Sequence, residues 1–455
     1  MQKKSLLSNY LKYLIPTIAT MTLFSTYTMV DGIFVGRGVG TEGLAAVNIS
    51  MPFVNLAFAF AILISIGSLN LIAHEKGRGN KKGADEFFSL GLSIAVIFAL
   101  SLSFLGFIFI NPLIMFLGAS GPMIELVKEY LSIIIIFLPF YLTSYVFEIM
   151  VKADGRPSLT TKLMLMSALT NIILDYIFIF KFHLGLRGAA IATGLAQTIP
   201  TIGYVIYFLS PKSYLKFKKF RLRSFMLKEI FSYGFPASLS ELSSGFCILV
   251  FNLAIGKLYG EIGLAAFSVI AYVMSFVVNT MLAINQSSQP LLGYYYGARE
   301  YDKIPIIRKY MLRSVAVLSL IMVAAIELWP EFFINVFLTD QSSEFMNFAS
   351  KSLRIFALSF LILGFNITNG GYLTAVGSPR YDFIITLLRG YVFVTIFSLI
   401  VTIMMAENAI WFVLLGSDFL TMLLSIFLIK KQDKKLKLMA SKKLTNKNTE
   451  KMAAS

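Results

Sequence analysis

The chain contains twelve long apolar runs, and this feature restricts its fold more than any other. About 20 consecutive apolar residues in a helix cross the roughly 30 Å hydrocarbon core of a bilayer. The runs are continuous rather than alternating, which favours helices over the strands of a β-barrel, the other structure that satisfies the backbone in lipid. We therefore predict an all-α membrane protein with twelve transmembrane helices. The predicted spans lie at about 13–36, 45–73, 87–110, 127–150, 160–181, 187–209, 230–256, 263–293, 312–334, 353–375, 382–405 and 409–429.

The composition agrees with a chain that is dissolved largely in lipid. Of its 455 residues, 57% are hydrophobic and 14% are charged, whereas soluble domains have about 25% charged residues. That much apolar surface cannot be buried in the cores of soluble domains of this total length. The composition therefore excludes an array of soluble domains.

The formal net charge of +16 is distributed unevenly across the predicted membrane. With the N-terminus inside, the inner segments hold most of the Lys and Arg residues, and the outer segments hold Arg37, Lys181, Arg187 and Lys257. Cytoplasmic loops carry the excess of cations in membrane proteins. We therefore predict a multi-pass protein of the plasma membrane with both termini in the cytoplasm.

Two basic segments lie outside the spans. Residues 211–228 interleave cations with aromatic residues, a pattern that could bind nucleic acid but that we interpret as a cytoplasmic linker on an anionic inner leaflet. Residues 431–455 form a Lys-rich, polar cytoplasmic tail, and this composition is typical of disorder. We expect the lipid bilayer, and no nucleic acid, as a partner of these segments.

The two halves of the sequence repeat each other. The sequence GLAA at 43–46 recurs at 263–266, and ADGRP at 153–157 is matched by AVGSP at 375–379. Six helices per repeat make the repeats parallel, related by a pseudo-two-fold axis along the membrane normal, and two such lobes suit transport by alternating access. We predict an N-lobe at 1–210 and a C-lobe at 229–430.

Acidic residues inside the predicted spans are candidates for function, because a carboxylate costs about 2.5–3.5 kcal/mol at the centre of a membrane helix. Asp31 and Asp175 lie in the outer halves of the first and fifth spans, and Asn171 shares a helix face with Asp175. Thr193 lies at a similar depth on the sixth span. These four side chains could bind a cation through oxygen atoms alone or carry a proton, and the alternative is a hydrogen-bonded cluster that packs helices together.

Other polar residues inside the spans allow two interpretations each. Glu241 could attract cationic substrates or be a structural acid, and Arg389 and Asp418 could neutralise each other on the last two helices. The eighth span contains a polar run that we expect to line a substrate cavity or to mark a kink. Its residues are Asn279, Gln286 and Gln289.

Sequence signals for an enzyme or a metal centre are lacking. The chain has one cysteine, Cys247, and two histidines, His74 and His183, without the spacing of metal ligands. No H-E-x-x-H, G-x-S-x-G or phosphate-loop motif occurs. We expect no catalytic residue, no cofactor and no metal beyond a possible Na⁺.

Segments from both repeats resemble the multidrug and toxic compound extrusion (MATE) family, most closely its MepA-like branch. They are VDGIFVG at 30–36, GLAA at 43–46 and QPLLGYYYGA at 289–298. The resemblance implies a bacterial, twelve-helix, two-lobe antiporter that exports amphipathic organic cations or other drugs in exchange for H⁺ or Na⁺. We expect the protein to be a monomer.

The same resemblance implies roles for individual residues. The cation site of prokaryotic members maps to Asp31, Asn171, Asp175 and Thr193, with the Ala189 backbone one turn earlier, and Pro16 maps to a proline that kinks during transport. The sequence departs from the pattern on the seventh helix. Where some relatives carry a glutamate of a C-lobe ion site, two turns after Pro236, this chain has Ser244. We therefore expect Glu241 and Ser244 to line the substrate cavity.

Two other functions are less consistent with the sequence than export. A flippase for lipid-linked sugars has a related architecture, but such proteins use cationic cavity residues to hold pyrophosphate, and only Arg389 is a deep cation here. A membrane-embedded enzyme would need a catalytic motif. Both are disfavoured on these grounds, and a channel would not require paired acids.

Overall fold

The computed structural model describes residues 6–337 and 342–453, and every regular element in these ranges is a helix. The first half contains α1 Leu6–Gly38, α2 Thr41–Gly77, α3 Lys81–Ile108, α4 Ile110–Phe116, α5 Met123–Asp154, α6 Pro157–Asp175, a π-helical continuation Tyr176–Lys181, and α7 Gly185–Leu209. The second half contains α8 Ser224–Gly297, α9 Ile304–Leu328, α10 Pro330–Phe337, α11 Ser343–Ala357, α12 Phe360–Ala375, α13 Pro379–Leu387, a π-helical segment Leu388–Phe393, α14 Val394–Ile403, a 3-10 segment Glu407–Phe412, and α15 Val413–Ala453.

The twelve predicted membrane crossings are confirmed. Eleven helices, counted together with their continuations, are long and apolar enough to cross a membrane within the described ranges. One of them is α8, whose 74 residues would extend about 111 Å as a single helix, more than three times the hydrocarbon thickness. Its Gly260 has φ 61° and ψ −145°, which interrupts the helix near its middle. Thus α8 comprises two crossings.

The repeated sequence at 153–157 and 375–379 forms the same turn in both halves. Gly155 and Gly377 have φ values of 99° and 81°, a conformation that favours glycine. The next helices then begin with Pro157 and Pro379, because proline is well suited to the first position of a helix. The turn explains why this part of the repeat is recognisable in the sequence.

The chain divides into two compact units, and the boundary lies within α8. The N-terminal unit is Lys12–Ser238. In it, a Cβ atom added to Gly234 would lie 1.8 Å from the Leu63 carbonyl oxygen, and one added to Gly67 would lie 2.1 Å from the Ile230 carbonyl oxygen. The two glycines therefore let α2 and the first part of α8 approach backbone to backbone, as small residues do in membrane proteins.

The C-terminal unit consists of Leu239–Ser455 together with Met1–Leu11. Its central helix is α12, which packs against α9, α13 and α15. Tyr10 belongs to this unit because its hydroxyl group donates to Ser314 Oγ at 3.0 Å. Most residues of α12 are buried, and they include the polar side chains of Asn366, Thr368, Asn369 and Thr374.

The prediction of a disordered tail was wrong for its first part, since α15 continues to Ala453. Gln432 is buried and donates to the Val376 carbonyl oxygen at 3.0 Å, and Leu436 is also buried. The Lys-rich composition wrongly indicated disorder, because Lys, Leu and Met also favour helix. In addition, a helix that already exists can be extended without the cost of nucleation. The last residues of the predicted tail, 454–455, lie outside the described ranges.

The basic linker is extended and shorter than predicted, because α8 begins at Ser224. Asp154 accepts hydrogen bonds from the backbone N–H groups of Tyr214 and Leu215, at 3.1 and 2.9 Å. Asp85 accepts the N–H group of Lys216 at 2.9 Å. Two acidic side chains of the N-terminal unit thus hold the start of the linker.

Candidate functional site

Three helices of the N-terminal unit bring the four predicted oxygen-bearing side chains together. Asn171 and Asp175 lie one turn apart on α6 and are buried, with 1% and 0% of their surface exposed. Asn171 Nδ2 donates to Thr193 Oγ1 of α7 at 3.5 Å. Asp31 of α1 is half-buried, and its carboxyl group lies within hydrogen-bonding reach of Asp175 and Thr193.

Four oxygen atoms of this cluster lack donors. Both carboxylate oxygens of Asp175, Oδ1 of Asp31 and Oδ1 of Asn171 are buried without a hydrogen-bond partner among the described residues. Ionised carboxylates only accept hydrogen bonds, so Asp31 and Asp175 cannot satisfy each other unless a proton lies between them. The cluster is therefore a set of acceptors that a cation would complete.

The chemistry of the cluster fits either a proton or a hard metal cation. Carboxylate, amide and hydroxyl oxygens are the ligands that hard cations prefer. In the described part of the chain, no group of three or more His, Cys, Asp or Glu side chains could hold a metal ion. Any metal site here would thus depend on neutral oxygens beside the two carboxylates, which suits a monovalent ion such as Na⁺.

Ala189 and Pro16 lie on the helices that carry these residues. Ala189 is buried on α7, one turn before Thr193. Pro16 lies inside α1, which continues through it, and its carbonyl oxygen accepts hydrogen bonds from the hydroxyl groups of Thr20 and Thr161, each at 2.8 Å. These hydroxyls connect α1 to α6 at the proline.

Sequence reasoning missed the pair formed by Tyr27 and Gln197. Gln197 Nε2 donates to the Tyr27 hydroxyl at 3.1 Å, and both side chains are buried. Tyr27 precedes Asp31 by four residues, and Gln197 follows Thr193 by four, so each lies one turn from the cluster on the same helix face. The four-residue spacing from Asp31 and from Thr193 is the sequence feature that could have predicted this pair.

A small cavity in the N-terminal unit lies next to this pair. Its volume of about 30 Å³ holds about one or two water molecules, far below the roughly 300 Å³ that a drug-sized ligand requires. It can therefore supply water but not a substrate site in this conformation. Its lining residues are Phe24, Phe58, Tyr141, Ser144, Tyr145, Glu148, Met164, Gln197, Pro200 and Tyr204.

The residues predicted to line a substrate cavity are scattered in the C-terminal unit. Gln286 and Gln289 are buried, and Gln289 Nε2 donates to Asn285 Oδ1 at 3.1 Å, within α8. Glu241, Ser244 and Asn279 are half-buried. None of the five lines this small cavity or a second cavity, which is formed mainly by residues of α9, α10 and α11.

Arg389 and Asp418 are close but do not form the direct ion pair that mutual neutralisation suggested. They interact electrostatically, yet no nitrogen–oxygen contact within 4.0 Å joins them in the described ranges. Asp418 Oδ1 instead accepts a hydrogen bond from Asn366 Nδ2 at 2.9 Å. The similar depth of Arg389 and Asp418 correctly predicted that they are close. It did not predict their hydrogen-bond partners, because these depend on the rotation of each helix about its axis.

Comparison with known proteins gives a consistent result. The family model MatE matches residues 16–177 and 236–400. Multidrug export protein MepA of Staphylococcus aureus (strain NCTC 8325 / PS 47) is 23% identical over 433 residues, which are 94% of this chain and 95% of that protein. Both matches extend across the two repeats.

Solved structures share the fold. A multidrug resistance MATE family transporter of the MOP superfamily, solved in an outward-facing conformation, superimposes with a TM-score of 0.89 at 23% identity, covering 94% of this chain and 96% of that one. A MOP superfamily transporter from Pyrococcus furiosus Vc1 gives the same values, and its description infers a different function from a reversed polarity of the binding pocket. The two-lobe, twelve-helix architecture is thereby shown.

Proposed function

The chain belongs to the MatE family, and we propose that it is a secondary active multidrug exporter that exchanges amphipathic organic cations for H⁺ or Na⁺. Export of more than one drug is the activity in the name of its MepA relative. We place it in a bacterial plasma membrane because its MepA relative is bacterial. The distribution of Lys and Arg supports a cytoplasmic position of both termini.

The observation that carries the coupling proposal is the pair of carboxyl groups at Asp31 and Asp175. Two like charges about 4 Å apart repel by about 4 kcal/mol at an effective dielectric constant of about 20. Shifting a two-state equilibrium from 1:99 to 99:1 requires about 5.5 kcal/mol. Binding and release of a cation at this pair therefore changes the free energy by an amount similar to that required to switch between the two conformations of alternating access.

The helices that carry the pair suggest how the energy is used. Asp31 is on α1 and Asp175 is on α6, so a bound cation holds the two helices together, and its release lets them separate. Pro16 removes one backbone donor from α1 and lowers the cost of bending it. Ion occupancy would thus select between two packings of α1, one of which binds substrate.

The repeat supports a cluster of this kind in the first half alone. At the offsets of the two repeated motifs, 220 for α1 and 222 for α6 and α7, the counterparts of the four side chains are apolar. A cation site of this kind cannot form from such residues. The counterparts are Phe251, Phe393, Phe397 and Leu415.

The proposal is tested by transport in proteoliposomes with pH and Na⁺ gradients imposed separately. Asp31→Asn is expected to abolish gradient-driven ethidium efflux, because an amide cannot bind and release a cation as a carboxylate does. Asp302→Asn, in the exposed turn before α9, is the control and should transport normally. Unchanged efflux by Asp31→Asn would refute the coupling role.

A further inference from the structure

Polar side chains form a buried file along the contact between α12 and α15 in the C-terminal unit. Asn366 Nδ2 donates to the carbonyl oxygen of Asp418 at 2.8 Å and to its Oδ1 atom at 2.9 Å. One turn further along α12, and two turns further along α15, Asn369 Nδ2 donates to Ser425 Oγ at 3.1 Å. All four side chains are buried.

The file ends at Asp433, in the Lys-rich part of α15. The Tyr372 hydroxyl donates to Asp433 Oδ1 at 2.8 Å, and Arg308 donates to Oδ2 at 3.2 Å. From Asp418 to Asp433 the helix advances about 22 Å. The Asp433 side chain is 36% exposed, whereas Asp418 is 0% exposed. Polar groups thus occur at intervals along α15 from a fully buried acid to an acid at the protein surface.

Several acceptors along the file are unsatisfied. Asp418 Oδ2, Asn366 Oδ1 and Asn369 Oδ1 are buried, and no described residue donates a hydrogen bond to them. Buried acceptors without donors destabilise a fold, so helix packing alone does not explain these side chains. A proton on Asp418 would introduce a donor among them.

The charges around Asp418 leave one negative charge uncompensated. Arg389 interacts electrostatically with both Asp418 and Asp382, so two carboxylates share one guanidinium group. Among the described residues, the other titratable group that interacts with Asp418 is Cys247 of α8, and α12 contributes the neutral Asn366. One added proton therefore makes the cluster neutral.

The hydrogen bonds indicate which carboxylate takes that proton. Asp382 accepts from the Thr374 hydroxyl at 2.6 Å and from the Thr386 hydroxyl at 3.4 Å, one on each oxygen. Such donors stabilise the ionised form. Asp418 has one oxygen without a donor, so it is the carboxylate that gains by protonation.

The file is specific to the second half of the chain. At the offset of 222, the counterparts of Asn366 and Asn369 are Ser144 and Phe147, and those of Asp418 and Ser425 are Ala196 and Gly203. The first half thus has no acid and no amide at these positions. The two halves carry their buried acids in different places.

We propose that Asp418 is a second proton-binding site and that the polar file conducts protons between Asp418 and Asp433. Each transfer forms one O–H bond as it breaks another, with hydroxyl groups and water completing the steps. A sodium ion is disfavoured because the Arg389 guanidinium would repel it. Proton binding at Asp418 does not depend on the role of Asp31 and Asp175, but a stoichiometry of two protons per substrate rests on the proposed function.

Infrared difference spectra of the full chain in proteoliposomes, recorded between acidic and alkaline pH, test the binding site. We expect a carboxylic acid band that is lost in Asp418→Asn and kept at a changed frequency in Asp418→Glu, which also covers a failure of the asparagine variant to fold. Asp382→Asn should retain the band. Identical spectra from Asp418→Asn and the unmodified chain would overturn the assignment.

The path is tested by the rate of proton uptake after a pH jump, followed with a pH-sensitive dye. Ser425→Ala is expected to slow uptake roughly five- to tenfold, the effect of about one lost hydrogen bond. Ser398→Ala removes an equally buried hydroxyl outside the file and should not. Equal rates in the two variants would exclude the path.

The same preparations separate the two proposals. Asp418→Asn should lower the proton-to-ethidium ratio from two to one, whereas Asp31→Asn should stop efflux and leave the Asp418 band unchanged. If Asp31→Asn transports normally while the band still depends on Asp418, the proposed coupling fails and the second site stands.

Discussion

Asp175 and Asn171 have buried oxygen atoms without hydrogen-bond donors, which we attribute to cation binding. Asn171 gives its amide to Thr193, so Asp175, one turn later, keeps two buried oxygens without donors in the described ranges. A purely structural cluster would place a donor there. The arrangement costs stability, and stability lost at a site of this kind is commonly the counterpart of activity.

Asp175→Asn is therefore expected to stabilise the protein while it stops coupled transport. The amide removes the repulsion with Asp31 and offers a donor to it, which should increase the free energy of unfolding by about 1.5–3 kcal/mol, the contribution of one hydrogen bond to a charged group. Thermal unfolding in detergent at neutral pH without Na⁺ measures the change, and ethidium efflux measures the function. A lower melting temperature would indicate that Asp175 is structural.

The helices themselves could be predicted far better than their contacts. Lipid leaves the backbone few alternatives, so long apolar runs such as 87–110 and 187–209 predicted helices that the structure contains with small changes at the ends. Rotation about each helix axis is not encoded in hydropathy. The pairs Tyr27–Gln197 and Asn366–Asp418 depend on that rotation, and the sequence therefore did not predict them.

The cation cluster is an exception because four-residue spacing fixes relative orientation on one helix. Asn171 and Asp175 had to share a face, and equal depth brought Asp31 and Thr193 to the same level. The resemblance to the MATE family selected the same residues. No comparable constraint applied to Glu241, Asn279 and Gln286, whose common cavity stays a prediction.

Gly234 lies where α2 and α8 cross, and we expect the stability of the protein to depend on the small size of this residue. Gly234→Ala would place a methyl group against the Leu63 carbonyl oxygen, and a backbone atom cannot rotate away. We expect a loss of about 1–3 kcal/mol of stability, as for other overpacked sites. Gly245→Ala, also on α8, has no atom within 4 Å of the added carbon and serves as the control. Equal melting temperatures of the two variants would contradict the close packing.

At the scale of the whole molecule, the cations define an orientation that can be tested with thiol labelling. The chain has a single cysteine, Cys247, which is buried, so Cys247→Ser provides a background with little expected loss. Ser120 is exposed between α4 and α5, and Asp302 is exposed before α9. An odd number of crossings separates the two positions.

Ser120→Cys and Asp302→Cys should therefore be labelled from opposite sides of the membrane. In intact cells, a membrane-impermeant maleimide is expected to modify Ser120→Cys alone, because cytoplasmic loops carry the excess of Lys and Arg. Permeabilised cells provide the control, in which both variants should react. Labelling of Asp302→Cys in intact cells would reverse the orientation and place the Lys-rich end of α15, with Asp433 at the end of the polar file, outside. The proton path would then open to the outside and not to the cytoplasm, the compartment into which an exporting antiporter releases protons, so this experiment also constrains the direction in which Asp418 exchanges protons.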